Sequence, residues 1–335
     1  MLSCRPLAGP ILFTALLAPL YSQRSASWRD PSPHTTQFVT VDKNVRLEVL
    51  DWGGSGRPIV LLAGGGNTAH IFDDFAPRLT AHDHVYGITR RGFGASGYST
   101  TDSPADRLGD DVLEVLDSLK LSRPILVGHS MAGVELSSLA SRHPDRVAGL
   151  VYLDAAYPYA FDNGKGASMK EIQDSQGPEP PSPGTVDLAS FGALQKYYER
   201  VNGFRFPEAE LHQQWESTPG GGAAKQRDFP GAAMLTSVVM GTKKYSNIPV
   251  PALVIFANPH SLGSWADENT DPSIRTAARA RSAVLADFTE RQERAVENGM
   301  PMAHVITLPG AHHYVFLSNE ADVLHEIGVF LAGLK

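Results

Sequence analysis

PILVGHSMAG (residues 124–133) begins as an unbroken apolar run and ends in a turn of small residues with a serine at its tip. The run at 124–128 suits a strand buried on both faces, and residues 131–142 carry a helical apolar pattern. Between them the chain passes from strand to helix within about three residues. A serine on so tight a turn sits in a strained backbone conformation, so its neighbours two positions away must be small. Gly128 and Ala132 meet that demand. The turn lifts the Ser130 hydroxyl clear of the sheet and places it at a helix N-terminus, where developing negative charge is stabilised.

The same alternation runs outward in both directions. FVTV (38–41) and VRLEVL (45–50) alternate apolar and polar residues, as a half-exposed hairpin does. PIVLLA (58–63), HVYGI (84–88), VAGLVYL (147–153), PALVIFA (251–257) and HVITL (304–308) read as further strands. Helical spacing is expected over 69–79, 105–119, 131–142, 272–297 and 320–334. Strands alternating with helices imply a mostly parallel sheet with helices on both faces, an α/β fold. The rhythm stops over 157–247, which holds GPEPPSPG (177–184), a glycine run at 220–222 and helix-like pieces at 187–201 and 208–215. The expected organisation is a core over 28–156, an inserted cap over 157–247 and the rest of the core over 248–335.

Ahead of the core, ILFTALLAPL (11–20) follows Arg5 and precedes Ser22, Ser25, Ala26 and Ser27. A basic start, a short apolar run and small residues predict a secretory signal over 1–27, hence a secreted or periplasmic protein. Pro10 and Pro19 bound a run too short for a membrane span of about 20 residues.

Composition narrows the function. The chain has 335 residues, 42 % of them hydrophobic, which is enough for a large core. Its net charge is −7, with 29 basic and 36 acidic residues, so it lacks the basic excess of a nucleic-acid binder. The single cysteine, Cys4, excludes a disulfide framework and a cysteine nucleophile in the body of the chain. Twelve histidines raise the question of a metal, but no HExxH or paired-histidine spacing occurs, and no metal or organic cofactor is expected.

With GHSMAG at the turn, LLAGGGNTA (61–69), RRGFGASG (90–97), GLVYLDAAYP (149–158) and LPGAHHYVF (308–316) follow the order of motifs in the α/β-hydrolase family, which the chain resembles from about residue 38 to 334. It departs from the family pattern at three places. Ala132 stands where glycine is usual, Ala63 where the oxyanion loop has histidine, and Thr89 where aspartate is common. The resemblance implies an α/β-hydrolase fold with a Ser–His–acid site. Ser130 is the nucleophile, since a hydroxyl needs a base to become reactive. The base follows the last strand, where His313 matches the family position and His312 precedes it. His129 is expected to pack, and His260 and His304 carry no motif support.

The acid stays open. The usual place after the seventh strand holds Pro259 and His260, with Asp267, Glu268 and Asp271 further on. A minority of the family places it after strand six, where this chain has Asp154. The backbone N–H groups of Met131 and Gly65, with Gly66 as the neighbour, are the expected oxyanion donors.

The resemblance implies a serine hydrolase acting on a small-molecule carboxylic ester or lactone. Two other classes remain. An aminopeptidase or amidase would need a cap carboxylate, for which Glu199, Glu208 and Glu210 are candidates. A ligand-binding receptor would use the scaffold without turnover. The cap aromatics Phe161, Phe191, Tyr197, Tyr198, Phe204, Phe206 and Trp215 are expected mainly to fix the cap to the core, some of them lining an apolar pocket.

Overall fold

Side chains along a strand point alternately to opposite faces of a sheet. The central strands here are apolar at nearly every position, so both faces need cover. A computed structural model describes residues 28–100, 104–174, 177–241 and 243–334. The region 1–27, where a secretory signal is expected, lies outside the described residues. Among the described residues no helix is long and apolar enough to cross a membrane.

Eight strands form the main sheet: β1 (Thr35–Asp42), β2 (Val45–Gly53), β3 (Arg57–Leu62), β4 (Asp83–Ile88), β5 (Ile125–His129), β6 (Gly149–Leu153), β9 (Ala252–Ala257) and β10 (Ala303–Leu308). A short hairpin, β7 (Trp215–Ser217) with β8 (Ala223–Gln226), stands apart. The order across the sheet is β1-β2-β4-β3-β5-β6-β9-β10. β1, β2 and β4 pair antiparallel and all the other pairs are parallel.

The two faces build two cores. Val60, Leu62, Leu126, Leu150, Tyr152, Val254 and Phe256 point one way, onto α1 (Pro104–Ser118), α2 (Gly133–Arg142) and α8 (Pro272–Gly299). Ile59, Leu61, Ile125, Val127, Val151, Leu153, Leu253 and Ile255 point the other way. They meet Phe72, Phe75 and Phe316, together with Val323 and Ile327 of α10 (Glu320–Gly333). The parallel strands release their loops at one edge of the sheet, the place where open α/β sheets bind ligands. Ser130 follows β5, Asp154 follows β6, His260 follows β9 and His313 follows β10.

The helix expected over 69–79 is instead two single 3-10 turns, Ala69–Phe72 and Ala76–Arg78. Pro77 lies inside the second and supplies no N–H to a longer ladder. The piece expected at 187–201 splits at Ser190. Its extended backbone breaks the run, and its hydroxyl accepts the Ala193 N–H at 3.0 Å to start α4 (Phe191–Asn202). α5 (Glu208–Gln214) ends one residue early because Trp215 enters β7. Three further elements between β6 and β9 or just beyond carry no strong periodicity: α3 (Met169–Asp174), α6 (Ala232–Val239) and α7 (Ser264–Asp267). A last short helix, α9 (Val315–Ser318), precedes α10.

Candidate active site

The turn after β5 begins with Ser130 at φ +51°, the left-handed region that a residue with a Cβ enters only at a cost. Its neighbours explain why glycine stands at 128 and 133 but not at 132. A Cβ on Gly128 would come within 3.0 Å of Leu136 Cδ1 and Cγ and 3.1 Å of the Ala132 Cβ, a crowding that glycine at 128 relieves while 132 keeps its methyl. A Cβ on Gly133 would fall 2.0 Å from the Ala155 carbonyl oxygen. The loop after β6 therefore packs on the backbone of the first turn of α2, and that contact requires the glycine.

The structure brings Ser130, His313 and Asp154 into one hydrogen-bonded line. His313 Nε2 lies 2.9 Å from Ser130 Oγ, and His313 Nδ1 lies 2.6 Å from Asp154 Oδ2. Asp154, at φ +47°, is fully buried. Its Oδ1 accepts the Tyr157 hydroxyl at 2.7 Å and the Ala257 N–H at 3.1 Å. A second imidazole reaches the same carboxylate: His260 Nε2 is 2.8 Å from Asp154 Oδ2. Burial alone would raise the Asp154 carboxyl, but the charge and hydrogen bonds of His260 and His313 hold it well below the usual carboxylate range. His260 feels burial pushing it down and Asp154 pulling it up, and the net shift is upward.

The remaining candidates sit elsewhere. Asp271 caps α8, accepting the Ser273 N–H at 2.8 Å, and Glu268 is exposed. The side chain of Asp267 lies outside the described residues. His312 stacks on Tyr314 and meets Phe204 edge-on, and burial with the neighbouring His313 lowers it to about 3. His129 is buried; its Nε2–H donates to the His313 carbonyl at 3.0 Å, which anchors the backbone of that residue. Burial and the nearby His313 push His129 far below its ordinary value, so it stays neutral. His304 is exposed on β10.

The loop after β3 is held from two sides. Arg90 donates to the Ala63 carbonyl at 2.7 Å and the Gly64 carbonyl at 3.2 Å, while Glu135 on α2 grips its guanidinium with two bonds of 2.7 Å. In a trans peptide the C=O and the following N–H point opposite ways. Arg90 therefore turns the Gly65 N–H away from itself, and Gly65 lies against Met131, where a Cβ would meet Met131 Cγ at 3.2 Å. Gly66, at φ +80°, continues the turn.

From the other side Glu210 of α5 accepts the Asn67 amide at 3.0 Å, the Thr68 N–H at 3.1 Å and the Thr68 hydroxyl at 2.5 Å. Asn67 Oδ1 in turn accepts the Tyr314 hydroxyl at 3.0 Å, beside His313. Motif spacing gives no hint of the Arg90–Glu135 pair or of His260.

Burial pushes Glu210 up to about 7, against the downward pull of Thr68 and Asn67. A carboxyl raised in the folded state keeps its proton while the unfolded chain loses it. Its stabilisation is therefore complete below about pH 4.5 and is lost as pH rises towards 7. In Glu210→Gln this component is absent. The Tm difference, variant minus wild type, is expected to move in the variant's favour from pH 4.5 to 7 and to level off above. A difference flat across that window would show that the donors outweigh burial.

A cavity of about 360 Å³ opens on Ser130 and His313. Tyr159, Met169, Ile172, Leu262, Leu285 and Phe288 give it apolar walls. These come from the loop after β6, from α3, from the loop after β9 and from the long helix α8. None of the seven expected cap aromatics lines it. Phe161, Phe191, Tyr197, Phe206 and Trp215 are buried in the two cores, and Tyr198 and Phe204 pack against the second. Glu199, Glu208 and Glu210 do not line it either: Glu199 is exposed, Glu208 sits 3.6 Å from His212, and Glu210 is occupied by the loop after β3.

Comparison with known proteins agrees with this architecture. Epoxide hydrolase A of Mycobacterium tuberculosis is 35 % identical over 118 residues, which are 34 % of this chain and 37 % of that protein. The AB hydrolase superfamily protein YisY of Bacillus subtilis is 32 % identical over 123 residues, 36 % and 46 % of the two chains. The chain thus spans less than half the length of these curated relatives.

Solved structures match more widely. E-2-(acetamidomethylene)succinate hydrolase superposes with a TM-score of 0.59 at 18 % identity, over 90 % of this chain and 100 % of that one. A carboxylesterase of Bacillus subtilis gives 0.55 at 16 %, over 90 % and 93 %. At such identities the likeness is one of fold. Residues 59–326 carry the sequence profile of the Alpha/beta hydrolase family, and the chain belongs to that family.

Proposed function

We propose that the chain hydrolyses carboxylic esters or lactones by acyl transfer through Ser130. The observation that carries this reading is the position of His313, with one ring nitrogen 2.9 Å from Ser130 Oγ and the other 2.6 Å from the buried Asp154. A histidine so placed can take the serine proton while the carboxylate fixes its tautomer and stabilises its cation.

Ser130 Oγ attacks the carbonyl carbon as His313 Nε2 takes its proton. The oxyanion turns to the backbone N–H groups of Met131 and Gly65. The tetrahedral intermediate collapses, His313 protonates the departing alkoxide, and an acyl-serine remains. Water, deprotonated by the same nitrogen, attacks the acyl carbon, and the acid leaves as Ser130 regains its proton. The His313 side chain is 37 % exposed, so water can reach it.

Chemistry also favours acyl substrates over the epoxides named in one relative. A serine that opened an epoxide would be left as an ether, with no carbonyl for water to attack. An acyl-serine has one. The apolar walls around Ser130 suit a medium-sized hydrophobic acyl or alcohol group. Among the described residues no carboxylate lines that wall to hold a substrate amine, which weighs against an aminopeptidase.

The test is turnover of p-nitrophenyl esters of rising acyl length and of simple lactones, with aminoacyl anilides alongside. Ester or lactone turnover that peaks at a medium chain length is expected. Preference for the anilides, or no turnover by folded protein, would overturn the reading.

A further inference from the structure

Apart from the Ser130–His313–Asp154 line, four side chains with metal-binding atoms meet. Asp30 and His34 lie just before β1, His70 lies in the turn Ala69–Phe72, and Asp73 caps that turn. One ligand atom from each falls within 4.8 Å of all the others. His34 Nδ1 is 2.8 Å from Asp73 Oδ1. His70 Nδ1 is 3.1 Å from both Asp73 Oδ2 and Asp30 Oδ2. His34 Nε2 is 3.7 Å from Asp30 Oδ2. The side chains of His34, His70 and Asp73 are each 5 % exposed or less.

Charge makes the cluster unusual. A third carboxylate, Glu48 of β2, comes within 3.7 Å of His70 Nε2. Among the described residues, the only basic groups paired with these three carboxylates are the two imidazoles. Buried carboxylates need compensating positive charge. The two imidazoles are also the bases nearest Asp30 Oδ2, at 3.1 and 3.7 Å.

We propose that Asp30, His34, His70 and Asp73 form a structural site for one divalent transition-metal ion, with Zn²⁺ the best match. Two imidazole nitrogens and two carboxylate oxygens are a zinc donor set, and four donors complete its tetrahedron. With bonds of about 2.0–2.2 Å, the edges of that tetrahedron are about 3.4 Å. Taking one donor atom from each residue, the four atoms lie within 4.8 Å of one another, so side-chain rotations alone can draw them onto that tetrahedron. Calcium asks for six to eight oxygens and magnesium for an octahedron, and the cluster supplies neither.

The surroundings fit as well. With His70 Nδ1 on the metal, its Nε2–H faces Glu48, which also accepts the Thr89 hydroxyl at 2.7 Å. The Trp52 indole N–H donates to Asp73 Oδ1 at 3.1 Å. Such outer partners orient ligands and raise their basicity. Four protein donors leave no open position, so the site is structural: it staples the chain entering β1 to the turn that follows the Gly64–Gly66 loop. Because the ligands lie at positions 30, 34, 70 and 73, no short motif announces them.

The test is metal analysis and thermal melting of the full chain, with no reference to activity. Protein purified without chelator and dialysed against metal-free buffer is expected to hold about one zinc per chain. Stripping with a chelator should lower Tm by several degrees. Added ZnCl₂ should restore it and CaCl₂ should not. His34→Gln and His70→Gln should each weaken zinc binding by ten-fold or more, while His260→Gln, at the other histidine–aspartate cluster, leaves it unchanged. Wild-type protein with no bound zinc and no Tm response to excess ZnCl₂ would reduce the cluster to a proton-held network and overturn the proposal. Zinc lost on His260→Gln but kept in the His34 and His70 variants would overturn it too.

Discussion

Ser130→Ala is expected to lower kcat for p-nitrophenyl ester hydrolysis by about 10⁴–10⁶ while leaving the fold intact. The change removes one oxygen, and alanine enters the left-handed backbone conformation at 130 no less readily than serine does. The hydroxyl's partners are His313, whose side chain is partly exposed, and Tyr159 on the cavity wall, so the change removes hydrogen bonds at the cavity and none from the core. Near-UV circular dichroism and Tm should therefore match wild type. A residual rate above that of water is expected, since the oxyanion donors and the cavity still bind the transition state.

The histidines provide the companion result. His313→Gln should cost as much as Ser130→Ala, and the double variant little more, because nucleophile and base act as one unit. His312→Gln should stay within about ten-fold of wild type. Its ring is neutral across the working range and serves as wall packing against Tyr314 and Phe204. Ser130→Ala retaining more than about a tenth of the activity would remove Ser130 from the chemistry.

What could be read from the sequence was whatever local periodicity and turn chemistry determine. The strands at 58–63, 124–128, 147–153 and 251–257 are unbroken apolar runs, because helices cover both sides of the sheet. The turn at Ser130 was legible because the small residues around it obey a steric rule acting over four positions. The helices failed where a local competitor intervened: Pro77 within 69–79, the Ser190 cap within 187–201, and the entry of Trp215 into β7.

The site beyond Ser130 was less legible, because it is assembled across the sheet. Asp154 and His260 are 106 residues apart and meet only because β6 and β9 are neighbours. Arg90 finds Glu135 because β4 and β5 flank β3, whose loop both residues support. The cap aromatics drew attention by residue type, yet the cavity walls come from Leu285 and Phe288 on α8, whose spacing reads as any amphipathic helix facing a core. Sequence distance hides such contacts, and a known strand order restores them.

That same crowding at Asp154 sets the second large effect. Asp154→Asn is expected to lower kcat by about 10⁴, or roughly 5.5 kcal/mol in the barrier, and to lower Tm as well. The reason lies in the four donors around the carboxylate. His313 and His260 share Oδ2, while Tyr157 and the Ala257 N–H share Oδ1. An amide has one acceptor and one donor end, so it cannot serve both sides. If its NH₂ faces the imidazoles, His313 must present a bare Nδ1 and carry its proton on Nε2, the tautomer that cannot accept from Ser130. If it faces the other way, the Ala257 N–H loses its acceptor in a fully buried place, at a cost of about 1–3 kcal/mol.

Activity and stability therefore fall together, and neither amide orientation spares both. Loss of the carboxylate charge also removes the upward pull on His260, a buried imidazole whose Nδ1 already lacks a partner. The control is Asp271→Ala, which should cost only the exposed cap of α8 and leave kcat unchanged. If Asp154→Asn lost less than about ten-fold in kcat while Asp271→Ala lost orders of magnitude, the acid would lie after strand nine, and the line through Asp154 would be a scaffold for His260 and Tyr157 alone.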